Sequence, residues 1–222
     1  TPAPIKTDLP ELPVSAVLAD IAGALARAKR AVLSAPPGAG KTTLVPLHLL
    51  GQVWRGDGKI ILLEPRRLAA RAAAGRMAEL LHEDVGQTVG YRMRLDNRVS
   101  SKTRIEVVTE GVFARMVLDD PELAGISTVI FDEFHERSLD GDFGLALALD
   151  VQAGLRDDLR ILVMSATLDV ERISALMNDA PVIQSLGRTF PIDIRYEERW
   201  QGVPIDEKIT RAITEAHASE TG

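Results

Sequence analysis

Ala35-Pro36-Pro37-Gly38-Ala39-Gly40-Lys41-Thr42-Thr43 is the stretch on which the reading of this chain turns. Before it stands an apolar run, Ala31 to Ala35, with the character of a strand; after it Lys41 to Leu50 reads as a helix. Gly38 and Gly40 let the backbone curl so that successive N–H groups point inward, and a helix starting near Lys41 adds the positive end of its dipole. Such a concavity suits a polyphosphate, cradled by Pro37, Gly38, Ala39, Gly40, Lys41, Thr42 and Thr43. Lys41 then reaches the terminal phosphates as a point charge, and the Thr42 hydroxyl ligates the magnesium ion that travels with them. The spacing follows the phosphate-loop pattern, with Ala35 where the first Gly usually stands. A plain Gly/Pro turn that happens to precede Lys-Thr is the alternative.

The alternation of strand and helix continues outward from this loop. Strands are predicted at Lys59 to Leu63, Thr88 to Tyr91, Ile105 to Thr109, Thr128 to Asp132, Ile161 to Ser165 and Val182 to Ser185. Helices are predicted at Val14 to Lys29, Arg66 to Leu81, Gly111 to Leu118, Asp142 to Leu155 and Val170 to Met177. Strands rich in Val, Ile and Leu on both faces, alternating with helices, imply an α/β fold whose mostly parallel sheet is covered on both sides. In such sheets ligands sit at the carboxyl ends of the strands, where each motif singled out here falls.

Val129-Ile130-Phe131-Asp132-Glu133 is an apolar strand that ends in two acids. Burying a strand up to a pair of carboxylates is costly unless the charges meet a cation or a reacting water. Asp132 is the candidate to hold the magnesium ion through a water, and Glu133 to orient and deprotonate the attacking water. The competing role is structural: Asp132 as the cap of the next helix, with Glu133 helping its dipole.

Composition sets the outer bounds. The chain has 222 residues, 45% of them hydrophobic, enough for one full core. The absence of cysteine excludes disulfides, zinc-thiolate sites and thiol catalysis. No long uncharged apolar run and no secretory leader pattern is present, so the expected setting is cytoplasmic, with no membrane partner. The formal net charge of −6 argues against nucleic acid on its face, yet between Glu64 and Arg104 nine Lys and Arg face five Asp and Glu. That local surplus is compatible with a basic surface or with solvated helix faces.

Asp132-Glu133-Phe134-His135 resembles the DExH box of superfamily 2 helicases, specifically the DEAH/RHA group, and Glu136-Arg137-Ser138 continues the likeness. Glu64-Pro65-Arg66-Arg67 resembles motif Ia of that group, Thr109-Glu110-Gly111 with Arg115 resembles motif Ib, and Ser165-Ala166-Thr167 resembles motif III. Gly90-Tyr91-Arg92-Met93-Arg94 looks like the group's Gly-Tyr-x-x-Arg segment. Within the group, Asp132 to Leu139, Leu155 to Leu159 and Met164 to Leu168 look like a bacterial branch. Three positions depart from the wider pattern: Phe134 stands for Ala, Glu64 for Gln or Thr, and Glu110 for Asp.

The resemblance implies a RecA-like P-loop NTPase fold, ATP with magnesium at the phosphate loop, and catalysis by Glu133, Asp132, Lys41 and His135. It implies that His135, Ser165, Ala166 and Thr167 couple nucleotide state to movement between two RecA-like domains. It also implies that Arg66, Arg67, Thr109, Gly111 and Arg115 face single-stranded nucleic acid, RNA sooner than DNA. Arginine forks and loop N–H groups suit phosphate oxygens, and two Trp and two Tyr leave little for base stacking. On the residues alone His135 also reads as a hydrogen-bonded loop residue, and Ser165-Ala166-Thr167 as the cap of the helix that follows.

The expected organisation is an extended lead-in over residues 1–13, a first RecA-like domain over 14–186, and a linker with the start of a second RecA-like domain over 187–222. In the last part the pattern changes at Gly187-Arg188-Thr189-Phe190-Pro191, an extended run follows from Ile192 to Tyr196, and an amphipathic helix from Asp206 to Ala218. Thr1 in place of an initiating Met suggests a piece of a longer protein. Motifs IV to VI of the resembled group, with their arginine finger, are missing from this stretch, and such a loss costs about 10³ to 10⁵ in turnover. The chain by itself is therefore expected to bind nucleotide but hydrolyse it poorly. The competing functions are a nucleotide-gated remodelling or scaffold ATPase without unwinding activity, and a P-loop small-molecule kinase. No lid or acceptor-site motif supports the kinase.

Overall fold

A computed structural model of the chain describes residues 9–166, 170–186, 194, 196 and 202–219. Two compact units result, Thr1–Arg188 and Thr189–Gly222. The first opens on a 3-10 turn, Pro13–Val17, that runs into α1 (Leu18–Ala28). Then follow β1 (Arg30–Ser34), α2 (Lys41–Leu50), β2 (Lys59–Glu64), α3 (Arg67–Leu80), β3 (Val89–Met93), β4 (Asp96–Arg98), β5 (Ile105–Thr109) and α4 (Glu110–Asp119). The unit ends with β6 (Ile126–Phe131), α5 (Leu139–Gly154), β7 (Arg160–Ser165), α6 (Val170–Leu176) and β8 (Val182–Gln184).

Among the described residues eight strands form one sheet in the order β4-β3-β5-β2-β6-β7-β1-β8. Every pairing is parallel except the β3/β4 hairpin at the edge. Period-two alternation along each strand splits its apolar side chains between two cores. Ala31, Leu33, Ile60, Leu62, Ile105, Val107, Ile130, Leu162 and Met164 face α1, α2 and α3. Val32, Ile61, Leu63, Val108, Val129, Phe131, Ile161 and Val163 face α4, α5 and α6. Phe113 and Phe131 meet edge to face at 5.8 Å within the second core, and burying either ring contributes about 2 to 3 kcal/mol.

The expected fold class, an α/β RecA-like sheet covered on both faces, is the one observed, and α2 and β5 have the expected bounds. Two features differ. The predicted helix over Val14 to Lys29 begins as a 3-10 turn, whose Val14 N–H donates to the carbonyl of Ala39 in the phosphate loop at 3.0 Å. The start of the chain thus braces the loop as well as packing on the core. Strand β4 was not expected at all. It is three residues long and polar, with Asn97 and Arg98 exposed, so it carries no apolar alternation to read. Leu95, at φ 65°, makes the turn into it.

In the second unit α7 (Ile205–Ser219) has no buried residue, and Ile205, Ile209 and Ile213 lie exposed at helical spacing, as expected for an amphipathic helix. The predicted break at Gly187 to Pro191 lies outside the described residues. So does the predicted extended run of Ile192 to Tyr196, apart from residues 194 and 196. Among the described residues no helix is long and apolar enough to cross a membrane.

Candidate functional site

The phosphate loop leaves β1 at its carboxyl end. The Ala35 N–H donates to the carbonyl of Ser165 on β7 at 3.0 Å, which ties the loop to the strand that carries the Ser165-Ala166 turn. Gly38 and Gly40 adopt φ values of 75° and 87°, in the left-handed region that favours glycine. A Cβ on Gly38 would meet nothing within 4 Å, whereas one on Gly40 would lie 2.6 Å from Leu12 Cδ1. The loop is therefore open at Gly38 and closed against Leu12 at Gly40. Lys41 and Thr42 open α2, so their backbone sits at its positive end.

Strand β6 delivers the acids. Asp132 follows its last residue and donates its N–H to the carbonyl of Leu63 at 3.0 Å. The Lys41 ammonium, 3% exposed as a residue, lies 2.6 Å from Glu133 Oε1, and the Thr42 hydroxyl donates to Asp132 Oδ2. The Glu133 N–H donates to Asp132 Oδ1 at 2.8 Å. Glu133 itself stands at φ 48°, a left-handed conformation that costs a non-glycine residue about 1 kcal/mol or more and aims its side chain at Lys41.

A third carboxyl joins them. Glu64 closes β2, the strand beside β6, and is 2% exposed. Burial, then the neighbouring Asp132 and Glu133, push it up from 4.5 to about 9, against the pull of Lys41. Burial likewise raises Asp132, opposed by Lys41 and by the Thr42 hydroxyl. At neutral pH Glu64 is thus a neutral acid beside Asp132. The resemblance had placed Glu64 among the nucleic-acid motifs; its side chain lies with the phosphate-loop residues instead. The sequence did carry a signal, since Glu64 ends an apolar strand just as Asp132 does.

His135 links the candidate base Glu133 to Ala166, one of the expected coupling residues. Its Nε2 lies 3.4 Å from Glu133 Oε2, and its Nδ1 accepts the N–H of Ala166 at 3.2 Å. Ser165 is fully buried at the end of β7, in register with Ser34. Thr167, the last residue assigned to this group, lies outside the described residues.

The residues expected at the nucleic-acid face follow the carboxyl ends of the neighbouring strands β2 and β5 or lie on α4. Arg66 and Arg67 follow β2, Thr109 ends β5 opposite Glu64, and Gly111 and Arg115 lie on the first turns of α4. Arg66 pairs with Glu136, Arg67 Nη2 donates to the carbonyl of Arg94 at 3.3 Å, and Arg115 pairs with Asp119 at 3.0 Å. The surplus of basic residues from Glu64 to Arg104 is correspondingly muted: Arg71 pairs with Asp96, Arg76 with Glu79 and Arg92 with the buried Glu106.

Comparison with known proteins gives the family. The model of the DEAD/DEAH box helicase family matches residues 17–176. The ATP-dependent RNA helicase HrpB of Escherichia coli is 55% identical over 211 residues, which is 95% of this chain and 26% of HrpB. An ATP-dependent RNA helicase HrpA homolog of Haemophilus influenzae is 38% identical over 83% of this chain and 14% of its own length. The crystal structure of the E. coli DEAH/RHA helicase HrpB superposes with a TM-score of 0.87, covering 96% of this chain and 27% of that one. This chain therefore spans about a quarter of HrpB. With the phosphate loop, the paired acids and the family match on the same sheet, the chain belongs to the DEAD/DEAH box helicase family.

Proposed function

We propose that this chain is the nucleotide-binding motor domain of an ATP-dependent RNA helicase, with residues 14–186 forming the first RecA-like domain and 187–222 leading into a second in the parent protein. The observation that carries the reading is the meeting of α2 with β6: Lys41 on Glu133 and Thr42 on Asp132, with Gly38 open beside them. Two oxygen donors in contact, one hydroxyl and one carboxylate, are the hard ligands magnesium takes, the remainder being phosphate and water. The residues thus fit Mg-ATP, which when bound supplies a terminal phosphoryl group whose charge the metal helps to neutralise.

With nucleotide bound, Lys41 would pair with its terminal phosphate oxygens in place of Glu133, and Glu133 would then be free to accept the proton of the attacking water. Asp132, through the oxygen on which the Thr42 hydroxyl rests, would hold the magnesium ion by way of a water. His135, Ser165, Ala166 and Thr167 sense the state of Glu133 and pass it to the second domain. Arg66, Arg67, Thr109, Gly111 and Arg115 grip the backbone of single-stranded RNA. The setting is the cytoplasm. Without the second domain's arginine finger, turnover by this chain alone stays very low.

Calorimetric titration of this chain with ATP tests the nucleotide site directly. Binding that needs magnesium and disappears in Lys41→Ala is the expected result. Binding that ignores both magnesium and Lys41 would remove the basis of the proposal.

A further inference from the structure

The start of α4 and the segment that follows the paired acids are fastened together at two points. Ser138 caps α5: its hydroxyl oxygen accepts the N–H of Gly141 at 2.8 Å, and its O–H donates to Glu110 Oε2 at 2.6 Å. Glu110, the first residue of α4, therefore holds its carboxylate at the N-terminus of a 16-residue helix, where negative charge is favoured. Gly141 makes the approach feasible, since a Cβ there would lie 2.5 Å from Glu110 Oε1 and 2.8 Å from Ser138 Oγ. The second point is apolar. Phe134 meets Phe131 edge to face at 6.2 Å, and Phe131 meets Phe113 of α4 at 5.8 Å.

Between these two points lies a short, tightly bonded stretch. Glu136 N–H donates to the Glu133 carbonyl at 2.9 Å and Arg137 N–H to that of Phe134 at 3.3 Å, with Glu133 and Arg137 both at positive φ. Four residues, Phe134 to Arg137, separate Glu133 from Ser138. Phe134 and Glu110, two of the three departures from the wider helicase pattern, occupy the two ends of this joint.

We infer that Glu110 and Ser138 are positioning residues that make α4 and the Glu133–Ser138 segment move as one body, so that nucleic acid engaged at the start of α4 sets the position of Glu133. This rests on the helicase reading above. Engagement at Thr109 and Gly111 shifts the first turn of α4; the Glu110 carboxylate carries Ser138 and the α5 cap with it; the rigid stretch then re-aims Glu133 between Lys41 and water. Glu110 and Ser138 are spent on each other and on the α5 cap and are not among the residues assigned to nucleotide or nucleic acid, so cutting the joint disconnects the two sites and leaves each able to bind.

The test uses the chain together with the rest of its parent protein and compares wild type with Glu110→Ala, Ser138→Ala, the double variant, and the conservative Glu110→Gln and Ser138→Thr. Mg-ATP turnover is measured with and without single-stranded RNA, beside RNA affinity and melting temperature. The expected result for both alanine variants is RNA-independent turnover within about twofold of wild type and a maximal RNA-stimulated kcat lower by about tenfold, with RNA affinity unchanged. The double variant should be no worse than either single one, because both cut one connection. Glu110→Gln, whose amide oxygen still accepts from Ser138, and Ser138→Thr should retain most of the stimulation. Losses that add, losses equal with and without RNA, or no loss at all would overturn the joint. A wild-type protein that RNA does not stimulate would overturn the helicase reading and this inference with it, and the wild-type control distinguishes that failure from the others.

Discussion

The Lys41 ammonium and the Glu133 carboxylate lie 2.6 Å apart although their strands, β1 and β6, are not neighbours: β7 runs between them. The contact reaches past β7 because Lys41, at the start of α2, and Glu133, after β6, both follow the carboxyl ends of their strands. It joins the group placed to meet phosphate to the group placed to meet water.

Removing the lysine should therefore do two things. Lys41→Ala leaves Glu133 and the buried Asp132 without their cation, so the domain should lose roughly 2 to 4 kcal/mol in urea denaturation at neutral pH. Nucleotide affinity should fall in the same variant by about 100-fold or more, as expected for loss of a charge-assisted phosphate contact. A variant as stable as wild type would mean that the ion pair is not what neutralises these acids.

Glu64 makes stability depend on pH in a defined direction. Its folded-state value of about 9 lies above the ordinary 4.5, so between those values the folded protein holds a proton that the unfolded chain has released. Stability contributed by this group accordingly falls as pH climbs through that window. Glu64→Gln removes the dependence: it should match wild type near pH 5 and exceed it by roughly 1 to 3 kcal/mol near pH 8.5. Denaturation curves that stay parallel across this range would show that Glu64 is not held neutral by its surroundings.

How far the sequence led is clearest from particular residues. The β1-loop-α2 unit was legible because glycines, a lysine and a change of hydrophobic period fall in nine consecutive residues. Asp132 and Glu133 were legible because two acids end an apolar strand. Glu64 has the same local signature, but its meeting with Asp132 depends on β2 lying beside β6, a neighbour relation that no local pattern encodes. The pairs Arg66 with Glu136 and Glu110 with Ser138 were hidden for the same reason, each joining loops from different strands. Strand β4 was missed because an exposed polar edge strand has no buried face to give it a period.

The edge hairpin offers a check on the packing away from the site. Gly90 on β3 faces the β4 backbone so closely that an added Cβ would lie 2.3 Å from the Arg98 carbonyl oxygen. Gly90→Ala should force the hairpin apart and cost roughly 2 kcal/mol, while Mg-ATP binding at the opposite part of the sheet is retained. Thermal denaturation and nucleotide titration of one preparation separate the two effects. Undiminished stability would mean that β4 does not hold this register.

Steady-state Mg-ATP turnover tests the motor reading most directly, measured on this chain and on the chain extended through the rest of its parent protein, with no polymer, single-stranded RNA or single-stranded DNA. The predicted result is very low turnover by the short chain and RNA-stimulated turnover by the extended one, with kcat reduced about 10²- to 10⁴-fold by Glu133→Gln while nucleotide binding persists. Turnover in the extended chain that ignores both polymers would contradict the helicase assignment and point to a nucleotide-gated remodelling ATPase acting on protein partners.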